Sequence, residues 1–163
     1  GFGSIADGAW QNYWIGDSTV HGQEFSGQFY ISYGAANIKN YDYDNNKNYA
    51  TTSWLISPKF DLSGTTTPSL SFTSATRYQG AAMKLFISTD YRGSGDPETV
   101  GTWTDISSSA IWSQDATSSW IYTASGDVDL SAYKTTNVYF AYKYVGTGNQ
   151  GATWQLDDIK INN

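Results

Sequence analysis

Short runs in which apolar and polar residues alternate follow one another along most of the chain. The run 69–76 alternates strictly, with Leu70 and Phe72 set between hydroxyl side chains, which is the period of a half-buried antiparallel strand. Just before it, the apolar run 54–56 ends ahead of Pro58, because proline cannot donate to a sheet ladder. We therefore expect strands with inward apolar side chains along this part of the chain.

The same pattern continues to the end of the chain. It predicts early strands at 10–15 and 28–33, a polar loop at 37–49, a central apolar strand at 82–88 and a final strand at 154–161. The long aromatic strand 137–145 has two faces, one carrying Val138, Phe140, Tyr142 and Tyr144 and the other Tyr139, Ala141, Lys143 and Val145.

Some ten strands at irregular spacing pack most economically as two sheets. The sequence predicts an all-β fold, a two-sheet antiparallel β-sandwich of jelly-roll topology, with residues 1–163 forming one domain. Eight apolar side chains are expected in its core: Leu70, Phe72, Leu85, Ile87, Val138, Phe140, Leu156 and Ile159.

The amino-acid composition supports this fold and argues against some classes of binding partner. Aromatic residues make up 17% and charged residues only 15%, and a chain rich in Tyr, Trp, Thr and Gly is typical of an all-β protein. The formal net charge of −6 argues against nucleic acid, since no basic stripe is available for phosphates. No apolar run approaches the ~20 residues that span a bilayer, so we expect no membrane insertion. The chain has no cysteine, which leaves the compartment open.

Six segments of the chain form a recognisable series. They are 53–64, with its Pro58 break and Asp-Leu-Ser-Gly turn, then 69–76, 86–97, 103–106, 126–133 and 154–161. In this order they resemble the choice-of-anchor and cleaved-adhesin type (MAM-like) of jelly-roll domain in secreted Bacteroidetes proteins. The resemblance implies a secreted or outer-surface location and a monomeric module of a multidomain protein. No signal peptide is recognisable, so we expect a mature or excised piece.

Candidate catalytic residues are few. His21 is the single histidine and lies among Gly, Gln and Glu, which is typical of an exposed loop rather than of a Ser-His-Asp site. Most carboxylates, including Asp90, Asp96 and Asp115, lie in Gly- or Asn-rich loops, where solvated turn residues are expected. We assign no catalytic residue and expect a domain that is not an enzyme.

Asp157 and Asp158 are the most distinctive polar feature. Adjacent residues of a strand point to opposite faces, so one carboxylate should lie at least partly buried on the side of Trp154 and Leu156. A buried carboxylate needs a partner or a metal, and the resemblance implies structural Ca²⁺ here. The alternative is a carboxylate that accepts backbone N–H bonds. The segments 42–48 and 90–96 also offer Asp and Asn oxygens, but Lys47 and Arg92 stand where a calcium loop needs other residues, so solvated loops are favoured.

Several aromatic residues lie in polar surroundings that offer no core. Exposed rings that cluster usually mark a binding surface, and flat rings edged by amides suit the C–H faces and hydroxyls of a sugar. We therefore expect a carbohydrate-binding module for a neutral, glucan-like polysaccharide, since the charge of −6 disfavours anionic glycans. The alternative is a protein-adhesive or structural module. The candidate ligand-binding residues are Tyr41, Tyr43, Arg77, Tyr78, Trp112 and Trp120.

Overall fold

The computed structural model describes residues 10–16, 27–114 and 120–163. Within these ranges the chain forms β-strands and two short 3₁₀ helices, Ser107–Ser109 and Ser131–Tyr133. Neither of these helices is long and apolar enough to cross a membrane. The strands are β1 (Gln11–Gly16), β2 (Tyr30–Ser32), β3 (Ala35–Ile38), β4 (Tyr41–Asp42), β5 (Lys47–Asn48), β6 (Thr51–Ile56), β7 (Ser69–Arg77), β8 (Lys84–Ser88), β9 (Thr104–Asp105), β10 (Thr123–Ala124), β11 (Val128–Asp129), β12 (Tyr139–Gly146) and β13 (Thr153–Asn162).

The strands form two main antiparallel sheets. The first sheet has the order β1-β6-β12-β8-β9, and the second has β10-β7-β13-β3-β2 with β11 also paired to β7. A small hairpin, β4-β5, stands apart from both. Strands that are neighbours in a sheet are far apart in sequence, as in the β6–β12 and β7–β13 pairs. The predicted all-β, two-sheet antiparallel β-sandwich of jelly-roll type is confirmed.

The main core fills the space between the two sheets. Seven of the eight side chains predicted to be buried are at most 2% exposed: Leu70, Phe72, Leu85, Ile87, Val138, Phe140 and Leu156. Ile159 is only partly buried, although it packs against the same cluster. The rings of Phe72, Phe140 and Tyr142 meet edge to face, with centroids 5.2 and 6.2 Å apart, the geometry that aromatic quadrupoles favour.

A second apolar cluster covers the outer face of the first sheet. Trp54, Tyr91 and Tyr139 are 2%, 1% and 7% exposed and lie with Ile56 and Ala141. The predicted division of this strand into two faces is therefore confirmed, because Tyr139 and Ala141 lie in this second cluster whereas Phe140 and Tyr142 belong to the main core.

The sequence prediction differs from the structure between residues 28 and 49. The predicted strand 28–33 ends at Ser32, because Tyr33 and Gly34 have φ of 52° and 81° and turn the chain into β3. Two consecutive residues with positive φ are the signature of a tight hairpin turn. The predicted polar loop 37–49 contains the end of β3 and the β4-β5 hairpin. Short strands with polar side chains gave no alternation that could reveal them.

Candidate functional site

A groove of about 500 Å³ opens at one end of the second sheet, where the β4-β5 hairpin, the end of β7 and the β12–β13 turn meet. We call it the tyrosine groove. Three tyrosines and four amide side chains line it, and none of the described residues in its lining carries a charge. The lining residues are Tyr41, Tyr43, Asn48, Tyr78, Gln79, Asn149, Gln150, Gly151 and Thr153.

The β4-β5 hairpin owes its shape to Asp42. The backbone N–H groups of Asp44 and Asn45 donate to Oδ1 of Asp42 at 2.9 and 3.2 Å, and Nδ2 of Asn45 donates to Oδ2 at 2.8 Å. These bonds, the side-chain bond from Asn45 foremost, hold the pKa of Asp42 below its ordinary value. The Asp and Asn residues of this segment therefore build a turn, but Asp42 itself is buried, so the expectation of a solvated loop is wrong for this residue.

Asn40 fixes the hairpin to the turn that forms the opposite wall. Its side chain is fully buried, and its Nδ2 donates to the carbonyls of Tyr49 at 2.8 Å and Thr147 at 2.9 Å. The hydroxyl of Tyr144 lies 3.0 Å from Oδ1 of the same amide and 2.8 Å from the carbonyl of Ala152. Because buried amides with satisfied partners are held in one orientation, the two walls have a fixed separation.

Tyr78 enters the groove from the end of β7. Its backbone has a φ of 71°, which is uncommon for a residue with a side chain and turns the ring out of the sheet direction. The guanidinium carbon of Arg77 lies 5.0 Å from the centroid of the Tyr78 ring, a cation–π distance. Arg77 itself pairs across the sheet with Thr153, another lining residue.

The other two rings contact each other and a lysine. The centroids of Tyr41 and Tyr43 are 5.1 Å apart in an edge-to-face arrangement, and Nζ of Lys39 lies 4.3 Å from the Tyr43 ring centroid. Burial lowers the pKa of Lys39. The hydroxyl of Tyr41 donates to Oδ1 of Asn46 in the hairpin turn. Tyr43 keeps 62% of its surface exposed and Tyr78 keeps 46%, so both rings are available to a ligand.

The structure brings together three of the predicted aromatic residues, Tyr41, Tyr43 and Tyr78, with Arg77 beside them. Trp112 is not an exposed ring, and that expectation is wrong. It packs against Phe72 and Trp154 with centroids 4.9 and 5.9 Å away, and its indole N–H donates to the carbonyl of Ser107 at 2.9 Å. Trp120 is half-buried and does not line the groove.

Asp157 and Asp158 are separated by a break in the sheet register rather than by simple alternation. Asp157 pairs with Thr73, but the next pair on β13 is Lys160 with Ser71, so one extra residue bulges out. Asp158, with a φ of 50°, takes this place and is exposed, while Asp157 is half-buried. Simple alternation would place Asp158 on the same face as Trp154 and Leu156. That expectation is wrong, because the bulge leaves Asp158 exposed.

The surroundings of these two carboxylates do not form a calcium shell. Oδ1 of Asp157 accepts the N–H of Asp158 at 2.7 Å, and Nζ of Lys160 lies 3.8 Å from Oδ1 of Asp158. No three His, Cys, Asp or Glu side chains converge anywhere in ranges 10–16, 27–114 and 120–163, whereas Ca²⁺ takes six to eight oxygens. The described residues alone do not fit the ion, and calcium stays a prediction.

Other carboxylates serve loop structure. The N–H of Thr102 and the hydroxyl of Ser88 bond to Asp90 at 2.6 and 2.9 Å, and the bond from Thr102 is the main reason that the pKa of Asp90 lies below its ordinary value. The N–H of Glu98 donates to Asp96 at 2.8 Å. His21 and Asp115 lie outside the described residues.

Sequence reasoning missed the amide side chains of the groove. Asn149 and Gln150 lie in the turn after β12, and Asn48 lies on β5. The available signal was the cluster of Asn, Gln and Gly at 148–151 directly before the final strand. Its position beside Tyr41 depends on the β3–β13 pairing, which the local pattern does not encode.

Comparison with solved structures supports the fold. The K3 cleaved adhesin domain of Lys-gingipain from Porphyromonas gingivalis W83 is 13% identical, with a TM-score of 0.53 over 98% of this chain and 95% of that chain. The K1 cleaved adhesin domain of the same protein is 14% identical, with a TM-score of 0.51 over 94% and 90%. A structure described as "CBM4 structure and function" is 14% identical over 98% and 99%, with a TM-score of only 0.42, which is too low to carry an argument.

The two adhesin domains confirm the resemblance to cleaved-adhesin domains seen in the sequence. A search of curated proteins found no match. One family model, described as a domain of unknown function (DUF5017), matches residues 22–163. Because this match covers most of the 163 residues, the chain belongs to the DUF5017 family.

Proposed function

We propose that this domain is a binding module that holds a neutral polysaccharide in the tyrosine groove. The observation that carries the proposal is the lining: Tyr41, Tyr43 and Tyr78 surrounded by four amide side chains, with no charge on the described lining residues. Tyrosine rings offer apolar faces to the C–H groups of a sugar, and amides both donate and accept hydrogen bonds from its hydroxyls.

The size and rigidity of the groove support the same role. About 500 Å³ lies within the range of small-ligand sites and accommodates a short stretch of a sugar chain. Asn40 holds the two walls through carbonyls on both sides, so little ordering is needed when a ligand binds. We place the domain outside the cell, as a non-catalytic part of a larger protein, on the strength of its likeness to adhesin domains of Porphyromonas gingivalis.

The test is affinity electrophoresis through gels containing neutral polysaccharides: hydroxyethylcellulose, laminarin, xyloglucan, arabinoxylan and galactomannan. Wild-type protein should be retarded by at least one of them and not by polygalacturonate. Tyr78→Ala and Tyr43→Ala should each weaken binding about tenfold, because one ring face of roughly 60 Å² contributes about 1.5 kcal/mol at 25 cal/mol per Å².

Tyr33→Ala is the matched control, since Tyr33 is a fully exposed tyrosine at the tip of the β2-β3 hairpin. It should leave retardation unchanged. The proposal is overturned if no neutral polysaccharide retards the wild type, or if retardation survives both groove variants at wild-type strength.

A second candidate function, adhesion to a protein, is favoured by a different surface. Ile111 and Ile121 are 62% and 46% exposed, and they belong to adjacent segments, since Ser113 Oγ donates to the Ile121 carbonyl at 2.6 Å. Exposed apolar neighbours of this kind are typical of protein contacts. Ile111→Ser with Ile121→Ser should abolish protein adhesion and leave glycan retardation unchanged, which separates the two functions.

A further inference from the structure

The tyrosine groove is continuous with the outer face of the second sheet. Along β13, Trp154 and Leu156 are buried in the core, whereas Thr153 and Gln155 are half-buried on the opposite face. Thr153 lines the groove, so Gln155 is the next side chain on the same face, about 7 Å further along the strand. A ligand leaving the groove over Thr153 therefore meets Gln155.

Gln155 is in contact with the side chain of Tyr122, which was not among the predicted binding residues. The hydroxyl of Tyr122 donates to Oε1 of Gln155 at 2.5 Å. Tyr122 directly precedes β10, whose Thr123 pairs with Ser74 on β7, so Tyr122 stands level with Ala75. Because β7 lies between β10 and β13, the Tyr122 side chain must cross β7 to reach Gln155.

The Tyr122 ring therefore lies across the outer surface of β7, where a sugar ring can stack on it. Ala75, the partner of Gln155 across β7 and β13, is completely buried although it faces outward. The ring of Tyr122 is 59% exposed while its hydroxyl is already bonded to Gln155. A ring held at its far end and open along its face is preorganised for stacking.

On the other side of β13, the cross-strand pairs of Gln155 end at Tyr30, which lies toward the groove. Tyr30 pairs with Asn37, and Asn37 in turn pairs with Gln155. Three residues before Tyr30, the N–H of Gly27 donates to the carbonyl of Lys39 at 2.6 Å, and Nζ of Lys39 lies 4.3 Å from the Tyr43 ring centroid, so this edge of the sheet runs toward the groove. Tyrosines therefore flank Gln155 on both sides, and one of them adjoins the groove.

We propose that the ligand is an extended internal stretch of polysaccharide, which runs from the tyrosine groove across the outer face of the second sheet and stacks on Tyr122. This rests on the proposed function and specifies its ligand class. Strand spacing and rise put the Cα atoms of Tyr122 and Thr153 about 12 Å apart, and the Tyr122 ring, bonded to Gln155, lies beyond Thr153 as seen from the groove. Short oligosaccharides therefore fill the groove alone, and only longer ones reach Tyr122.

The experiment is isothermal titration of wild type, Tyr122→Ala and Tyr78→Ala with the di- to hexasaccharides of whichever panel polysaccharide retards the protein. Tyr122→Ala should lose about tenfold in affinity for the hexasaccharide and nothing for the shortest oligosaccharide that binds. Tyr78→Ala should lose affinity at every length. Tyr122→Phe keeps the ring but loses the bond to Gln155, so its loss should be smaller than that of Tyr122→Ala.

Tyr33→Ala again serves as the control, because it lies on the same sheet at the end away from the groove. If Tyr122→Ala binds every length as the wild type does while Tyr78→Ala is impaired, the extension is wrong and the groove proposal stands. If no polysaccharide of the panel retards the wild type, both fall. A loss for Tyr122→Ala that is equal at all lengths also overturns the extension, because it would put Tyr122 inside the groove's own subsite.

Discussion

A Cβ atom on Gly151 would lie 1.4 Å from Oδ1 of Asn40, far inside any permitted contact. Asn40 cannot move away without leaving the carbonyls of Tyr49 and Thr147. The close approach of this backbone to a buried amide is what brings the β12–β13 turn against the hairpin and sets the width of the tyrosine groove. Glycine at position 151 is therefore a requirement of the site.

We expect Gly151→Ala to lower the free energy of unfolding by roughly 2–3 kcal/mol, as overpacking a fixed site does. Urea unfolding measures this directly. Gly148→Ala is the matched control, since it lies in the same turn and a Cβ there meets nothing within 4 Å. Equal stability of the two variants would contradict the role given to Asn40.

Trp112→Ala tests whether the Trp112 ring stabilises the core. Because Trp112 packs on Phe72 and Trp154 and bonds to Ser107, its loss should destabilise the fold by about 3 kcal/mol. The exposed neighbour Ile111 provides the comparison, and Ile111→Ala should change stability by less than about 0.5 kcal/mol. Thermal melts of both proteins measure the difference. A stable Trp112→Ala protein would show that the ring contributes little to the core.

The fold was predictable because burial leaves a strong local signal. The alternation through Leu70 and Phe72, and the division of β12 into two faces, each follow from a period of two. The bulge at Asp158 also has a signal in the sequence. Leu156 and Ile159 are out of phase by one residue, and only an inserted residue lets both face the core.

The types of residue that line the groove were predictable from the sequence, but their positions were only partly predictable. Tyr41, Tyr43 and Tyr78 stood out because they lie among polar residues, and they do line one groove. Trp112 also lies in a polar segment, yet its ring is partly buried and packs against the core. Whether an aromatic residue of a polar segment lies in the groove or against the core depends on the pairing of β13 with both β3 and β7. This long-range pairing cannot be predicted from the local sequence.

Acid should weaken the fold partly through Asp105. Burial alone would raise its pKa, but hydrogen bonds from Lys84 and Ser107 outweigh this and lower it from 3.8 to about 2. A lowered pKa in the folded state stabilises the protein above the unfolded value, and that contribution is lost as the pH falls from about 5 to 2. Because the pair is well exposed, the contribution should be about 1 kcal/mol or less.

Urea unfolding at pH 7 and pH 3 measures the contribution of the Asp105 carboxylate to the free energy of unfolding. Asp105→Asn should reduce stability at pH 7 and should differ less from the wild type at pH 3. A difference that is the same at both pH values would show that the charge of Asp105 does not contribute. Thr104→Ser, which leaves the carboxylate in place, serves as the control on the same short strand.

Calcium at Asp157 and Asp158 is the last prediction, and the bulge supplies a clean variant for it. Asp158 has a left-handed backbone with a φ of 50°, a conformation that asparagine also tolerates well. Asp158→Asn should therefore cost little stability in metal-free protein, since its exposed pair with Lys160 is weak. A bound ion stabilises the folded state by mass action, so Ca²⁺ should raise the melting temperature of the wild type and chelator should reverse it. The same Ca²⁺ should raise the melting temperature of Asp158→Asn less. Wild-type melting curves that are identical in chelator and in millimolar Ca²⁺, with metal absent by elemental analysis, would exclude a structural calcium ion.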